Sequence, residues 1–84
     1  HMPHIVINLY PGRSDAIKRS MAGAVQKTFV QELGFAPSDI SVAVREIPAE
    51  RFVKQIQEDC QKQEVLIASA YISETQGGNG TTNA

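Results

Sequence analysis

Several features are scarce in this sequence of 84 residues, and each shortage narrows the range of functions. A single cysteine, Cys60, excludes an intrachain disulfide and gives no sign of a cysteine-rich metal cluster. Eight basic residues stand against nine acidic ones, a net charge of −1, so neither nucleic acid nor an anionic membrane is a predicted partner. The sequence has no run of about 18 apolar residues and no recognisable signal peptide, so we expect a cytoplasmic protein.

The size of the chain predicts one small domain over residues 3–73, followed by a flexible polar tail at 74–84. The glycine-rich tail cannot bury enough apolar surface to order itself. A domain of this size buries only about 60% of the surface that its unfolded chain exposes. Association between copies would add core, so we expect a homo-oligomer.

Residues 4–10 alternate between an apolar face and an amphipathic face, which predicts a β-strand. One face carries Ile5, Ile7 and Leu9, and the other carries His4, Val6, Asn8 and Tyr10. The turn residues Pro11 and Gly12 end the strand. Ser14 is a suitable N-cap for a helix, and Asp15 adds a favourable negative charge to its first turn.

A helix and a second strand are predicted next. Apolar residues recur every four positions between Asp15 and Leu33, which indicates an amphipathic helix of about five turns that stops at Gly34. Ile40–Ile47 is rich in β-branched residues and reads as a strand. A strand, a helix and a strand of these lengths form a right-handed crossover with parallel strands. The predicted fold class is therefore α+β, built on a β-α-β unit.

The second strand alternates as the first one does. Ile40, Val42 and Val44 are predicted on the helix-covered face, with Ser41, Ala43 and Arg45 on the other. A second helix is expected from about Glu50 to Lys62, with Cys60 buried on it. Val65–Ile72 is predicted to be a last helical turn and a strand that packs on a neighbouring subunit.

The start of the chain carries the most specific chemistry. His1 and Met2 are expected to be a tag remnant and an initiator methionine, which makes Pro3 the free amino terminus of the native protein. Reference amino termini titrate near about 7.7 to 8.0, and desolvation or a nearby cation lowers that pKa. Such an amine suits a general base near neutral pH. Arg13, ten positions after Pro3, offers a guanidinium that can bind a carboxylate in bidentate fashion.

Pro3, the apolar strand and the segment Gly-Arg-Ser-Asp around Arg13 together resemble the 4-oxalocrotonate tautomerase family of the tautomerase superfamily. The resemblance covers residues 3 to about 52. It implies the tautomerase fold, completed by oligomerisation, with Pro3 as catalytic base and Arg13 on the substrate carboxylate. It implies no metal and no organic cofactor. A helix replaces the hairpin of the hexameric members, as in a shorter bacterial subgroup of dimers, which favours a dimer over a hexamer.

One departure from the family pattern concerns the second strand. The best-studied members carry a second arginine there, whereas one alignment puts Ser41 at that position and another puts a valine or an alanine. Arg45 is a candidate substitute, with a surface arginine paired to Glu46 or Glu50 as the alternative. The missing arginine makes dicarboxylate substrates less expected.

Three more residues are candidates for substrate binding, each with a plainer alternative. His4 matches a pocket-lining position and would orient a substrate oxygen or tune the proline, unless it is an exposed strand histidine. Tyr10 would donate a hydrogen bond to an enol oxygen or pack at an interface. Phe52 would wall the pocket and desolvate the amine, or belong to the core.

The function predicted from these residues is keto-enol tautomerisation, or a 1,3- or 1,5-proton transfer, on a small 2-keto or 2-hydroxydienoate carboxylic acid. One alternative is a dehalogenase or hydratase acting on small unsaturated acids, for which Glu46 would have to activate water. The other is a non-catalytic oligomeric binding module in which Pro3 has no chemical role.

Overall fold

The sheet of this protein consists of two parallel strands, β1 (His4–Leu9) and β2 (Ser41–Glu46). The computed structural model describes residues 2–72, and the elements follow the order β1, α1 (Asp15–Gln31), β2, α2 (Ala49–Asp59). Short 3₁₀ turns at Pro37–Asp39 and Lys62–Glu64 precede β2 and follow α2. The predicted β-α-β unit with a long crossover helix and a second helix is confirmed.

The chain divides into two compact units, His1–Ile47 and Pro48–Ala84. The first contains the β-α-β unit and the second contains α2. The predicted domain limits of 3–73 and the predicted tail at 74–84 stay predictions, because His1 and residues 73–84 lie outside the described residues.

Helix α1 begins and ends on local signals. The hydroxyl of Ser14 accepts a hydrogen bond from the Ile17 N–H at 3.2 Å, which is the predicted N-cap. The helix ends at Gln31, two residues before the predicted end at Leu33. Gly34 then takes a φ of +79°, a conformation that glycine adopts without steric cost.

Replacing Ser14 by alanine is expected to lower the free energy of unfolding by about 1 kcal/mol, because one backbone N–H at the start of α1 loses its partner. Urea denaturation at a fixed protein concentration measures the change. Ser20→Ala is the matched control, since Ser20 is exposed within the same helix and alanine is the better helix former. An equal loss of stability in both variants would contradict the capping role.

The two faces of the sheet differ in what covers them. Strand pairing places Ile5 beside Val42 and Ile7 beside Val44. A small hollow lined by residues of α1 and by Val42 and Val44 shows that α1 lies over this face, as the alternation predicts. The opposite face carries the pairs His4–Ser41, Val6–Ala43 and Asn8–Arg45, with Val6 43% exposed.

Few side chains are fully buried in a single copy. Among residues 2–72 only Ile47, with 5% of its surface exposed, counts as buried. The other apolar residues of the first unit keep part of their surface in contact with solvent. A single chain therefore gains little of the hydrophobic stabilisation that burial provides.

The second unit departs from several predictions. Helix α2 ends at Asp59, three residues before the predicted end. Cys60 follows it and is exposed, so the expectation of a buried cysteine is wrong. Within the described residues, 65–72 form no strand, and Leu66 and Ile67 are exposed. Because the strand predicted there would pack on a neighbouring subunit, it stays a prediction.

No described helix combines the length and the apolar character that crossing a membrane requires.

Candidate active site

Pro3 lies at the start of the sheet, where both strands begin. Its carbonyl oxygen accepts a hydrogen bond from the Ser41 N–H at 3.2 Å, which extends the ladder one residue beyond β1. The ring nitrogen of Pro3 is three bonds from that oxygen, so the contact keeps the nitrogen close to the start of both strands. The residue is half-buried.

His4 joins Pro3 at this end. Its Nδ1 atom lies 2.6 Å from the Ser41 hydroxyl, across the strand pair and on the face that α1 leaves open. Three residues, Pro3, His4 and Ser41, thus come together through one backbone bond and one side-chain bond. We refer to them as the proline end of the sheet.

Other predicted site residues lie at the opposite end. Arg45 donates from Nε to the Asn8 side-chain oxygen at 2.8 Å, one position before both strands finish. Tyr10 directly follows β1 and is 48% exposed. Arg13 is exposed in the turn that leads to α1, and Gly12 before it has a φ of +119°. We refer to Tyr10, Arg13 and Arg45 as the arginine end.

The direction of α1 confirms that Arg13 belongs to the arginine end. Lys18, one turn into the helix, has its Nζ atom 3.4 Å from a carboxylate oxygen of Glu46, the last residue of β2. The helix therefore starts above the end of β2 and runs back toward the proline end. Among residues 2–72, the Arg13 side chain has no hydrogen-bond or ion-pair partner.

The two ends are too far apart to hold one small substrate together within a single copy. A strand rises by about 3.3 Å per residue. The Cα atom of Tyr10 therefore lies about 20 Å from that of His4, and the Cα atom of Arg45 lies about 13 Å from that of Ser41. Pro3 and His4 are therefore brought together, but Tyr10, Arg13 and Arg45 are not brought to them. No complete version of the predicted site exists in one chain.

Glu46 does not occupy the place that a hydration mechanism needs. It pairs in register with Leu9, lies on the face covered by α1 and contacts Lys18. It is also at the arginine end of β2. In its own chain this carboxylate cannot activate a water molecule beside Pro3.

Phe52 is half-buried on α2, in the second unit. Its expected role as an apolar wall stays a prediction. A hollow of about 680 Å³ in the same unit lies among residues from Ile56 to Ile72, and no residue of the predicted site lines it. Within the described part of the chain, no three side chains of the metal-binding types are grouped.

One ion pair affects the charges near the start of α1. Arg19 donates to an Asp15 carboxylate oxygen at 2.8 Å, and this hydrogen bond lowers the pKa of Asp15 and raises the pKa of Arg19. Both side chains are largely exposed, so water screens the pair and it adds little stability. Asp15 is therefore paired with Arg19 and not with Arg13.

Ser41 is the site residue that sequence reasoning overlooked. The alternation of β2 placed it on the open face, and one alignment placed it where the family has an arginine, but no role followed. Its partner His4 is 37 residues away in sequence. The sequence did show that each strand begins with a polar residue, His4 in β1 and Ser41 in β2. The register that pairs the two residues is visible only in the structure.

Comparisons with known proteins indicate the family of this chain. Residues 3–55 match the family model described as Tautomerase, tautomerase enzyme. Over 55 residues the chain is 34% identical to a probable tautomerase of Xylella fastidiosa (strain 9a5c), which covers 66% of this chain and 67% of that protein. A chain from a study of the 4-oxalocrotonate tautomerase isozymes of Methylibium petroleiphilum superimposes with a TM-score of 0.54 and 29% identity, over 57% of this chain and 75% of that one.

Proposed function

This chain belongs to the tautomerase family and is an isomerase of the tautomerase type, and we propose that it moves a proton within a small 2-keto or 2-hydroxydienoate carboxylic acid. One observation carries the proposal. The region matched to the family begins at Pro3 itself, the residue whose nitrogen becomes a basic amine once it is the chain terminus.

Pro3 is suited to act as the base for two reasons. A terminal proline is a secondary amine with a lone pair, and its backbone is held in place by the Ser41 N–H. Reference amino termini titrate near about 7.7 to 8.0, so a fraction of such an amine is neutral at physiological pH. A neutral amine at physiological pH can accept a proton from carbon.

The proposed reaction has two proton transfers and needs no net change in atoms. The Pro3 nitrogen takes a proton from the carbon beside the carbonyl, and the electron pair of that C–H bond moves onto the carbonyl oxygen as an enolate. The prolinium then returns the proton, to the oxygen in a keto-enol reaction or to another carbon in a 1,3- or 1,5-transfer. A hydrogen-bond donor near the enolate oxygen lowers the barrier.

Arg13 is the proposed partner of the substrate carboxylate. Charge-assisted bidentate bonds between a guanidinium and a carboxylate are among the strongest in proteins. Its side chain is exposed and, within the described residues, is not engaged by an acid of the same chain. Because Arg13 lies at the arginine end, it has to come from a second copy of the chain.

A homo-oligomer is therefore part of the proposal, with the arginine end of one copy beside the proline end of another. Tyr10 and Arg45 would arrive at the site with Arg13. The two-stranded sheet has an open edge on each strand, where backbone groups can pair with another chain. We favour a dimer over a hexamer, and a two-fold axis would give each dimer two equivalent sites.

The proposal is tested by following enol-to-keto conversion of an arylpyruvate and of a 2-hydroxydienoate with the chain that begins at Pro3. We expect turnover of at least one of them. Halide release from small unsaturated halo-acids, measured in parallel, tests the dehalogenase alternative. A chain that sediments as an oligomer and turns over none of these substrates would favour the non-catalytic binding module and contradict the proposal.

A further inference from the structure

The hydrogen bond between His4 and Ser41 places a directed hydroxyl group beside Pro3. The Ser41 Oγ atom is 2.6 Å from His4 Nδ1, while the Ser41 backbone N–H is bonded to the Pro3 carbonyl. Both side chains are exposed on the open face of the sheet. His4 thus orients the hydroxyl, and the backbone bond to Pro3 holds Ser41 in position. A ligand can approach the hydroxyl from the open face.

A serine hydroxyl bonded to an imidazole can change its hydrogen-bonding role. It has one donor and two acceptor lone pairs. When His4 Nδ1 carries a hydrogen and donates to Oγ, the Ser41 O–H is left to donate to a ligand oxygen. When Nδ1 is bare, Ser41 donates to it and its oxygen accepts from a ligand hydroxyl.

This behaviour suits the oxygen atom that changes during tautomerisation. A keto oxygen and an enolate oxygen only accept hydrogen bonds, whereas an enol hydroxyl also donates one. The Ser41 hydroxyl can serve both forms: it donates to a keto or enolate oxygen when His4 carries its hydrogen on Nδ1, and it accepts from an enol hydroxyl when His4 carries that hydrogen on Nε2.

We propose that Ser41 binds the 2-keto or 2-hydroxy oxygen of the substrate beside Pro3, and that His4 is a positioning residue that orients its hydroxyl. This inference rests on the proposed function and deepens it. It assigns the oxygen-binding role to a neutral side chain of the same copy that supplies the base, while the carboxylate is held by Arg13 of the other copy. The site is thereby selective for acids that carry an oxygen at carbon 2.

The decisive comparison is between Ser41→Thr and Ser41→Val in the chain that begins at Pro3. Threonine and valine have the same shape and both favour a strand, but only threonine keeps the hydroxyl. We expect Ser41→Thr to retain activity and Ser41→Val to lose about 100- to 1,000-fold in kcat, as when a donor to a developing oxyanion is removed. KM should change little, because Arg13 still holds the carboxylate.

His4 is tested by the same logic. Asparagine can bring a polar atom close to the place of Nδ1, so His4→Asn should recover part of the kcat that His4→Ala loses.

Thr28→Val is the matched control for Ser41→Val, since it removes an exposed hydroxyl from α1, away from the open face of the sheet. Equal kcat values for Ser41→Thr and Ser41→Val would overturn the inference.

A binding measurement separates this inference from the proposed function. The NMR signals of the His4 ring are followed while phenylpyruvate, or 3-phenylpropionate, which lacks the 2-oxygen, is added. We expect phenylpyruvate to move these signals more, and the excess to disappear in Ser41→Val but not in Ser41→Thr. If the wild-type chain shows this pattern without turnover, the proposed reaction fails while the oxygen site stands. If phenylpyruvate and 3-phenylpropionate shift the His4 signals equally, the assignment of the 2-oxygen to Ser41 is contradicted.

Discussion

The chain that begins at Pro3 is expected to isomerise its 2-keto acid substrate about 10²- to 10⁴-fold faster than the chain that carries His1 and Met2, the range that a positioned general base contributes. With those residues attached, the nitrogen of Pro3 is an amide and has no basic lone pair. The Met2 side chain is 84% exposed, so it is not buried against the sheet. Enol-to-keto conversion measured on both forms, each verified by intact mass, provides the test.

Pro3→Ala in the chain that begins at residue 3 is the control for this effect. It keeps a terminal amine but loses the secondary amine and the ring that restricts its direction. We expect most of the activity to be lost while the oligomer persists. Full activity in the intact chain with His1 and Met2 would rule out Pro3 as the base.

At substrate concentrations below the wild-type KM, Arg13→Ala and Pro3→Ala are each expected to show little activity alone, but mixing the two chains should restore activity. Hydrogen bonds to charged groups are worth about 1.5–3 kcal/mol, so loss of the guanidinium should weaken carboxylate binding by roughly 10- to 150-fold, mainly through KM. In a random mixture of dimers, half are hybrids and each hybrid has one intact site of two. The mixture should therefore reach about a quarter of the wild-type rate.

The mixing experiment is made sharper by a control arginine, Arg19, on the helix that follows Arg13. Arg19 is exposed and is paired with Asp15, so Arg19→Ala should remain active alone. The two inactive chains are unfolded and refolded together, and native mass spectrometry counts the hybrids. Hybrids without recovered activity would show that Pro3 and Arg13 do not share a site across two copies.

The local elements of the fold were largely predictable from the sequence. The spacing of apolar residues predicted α1, Ser14 marked its start and Gly34 its stop, because caps and turns depend on neighbouring residues. The predictions that failed concern the end of α2, which comes three residues early, and Cys60, which is exposed. Whether such a side chain is buried depends on a partner surface that local patterns do not describe.

The candidate site was predictable only as a set of residue types. Pro3 and Arg13 were singled out by the chemistry of an amine and a guanidinium and by their spacing. The alternation of residues 4–10 predicted the strand that separates them, but not which residues of β2 lie beside each of its ends. Glu46 illustrates the same limit, since its position on the helix-covered face beside Lys18 follows from packing and not from its type.

By itself, the sequence determined the strands, the crossover helix with its caps, the family and the residues with useful chemistry, because each depends on local periodicity or on a short motif. Only the tertiary structure decided the register that pairs His4 with Ser41 and ties Ser41 to Pro3. It also decided that the proline end and the arginine end lie about 13 to 20 Å apart. Both results come from contacts between residues far apart in the chain, whose geometry is set by how α1 carries β2 back alongside β1.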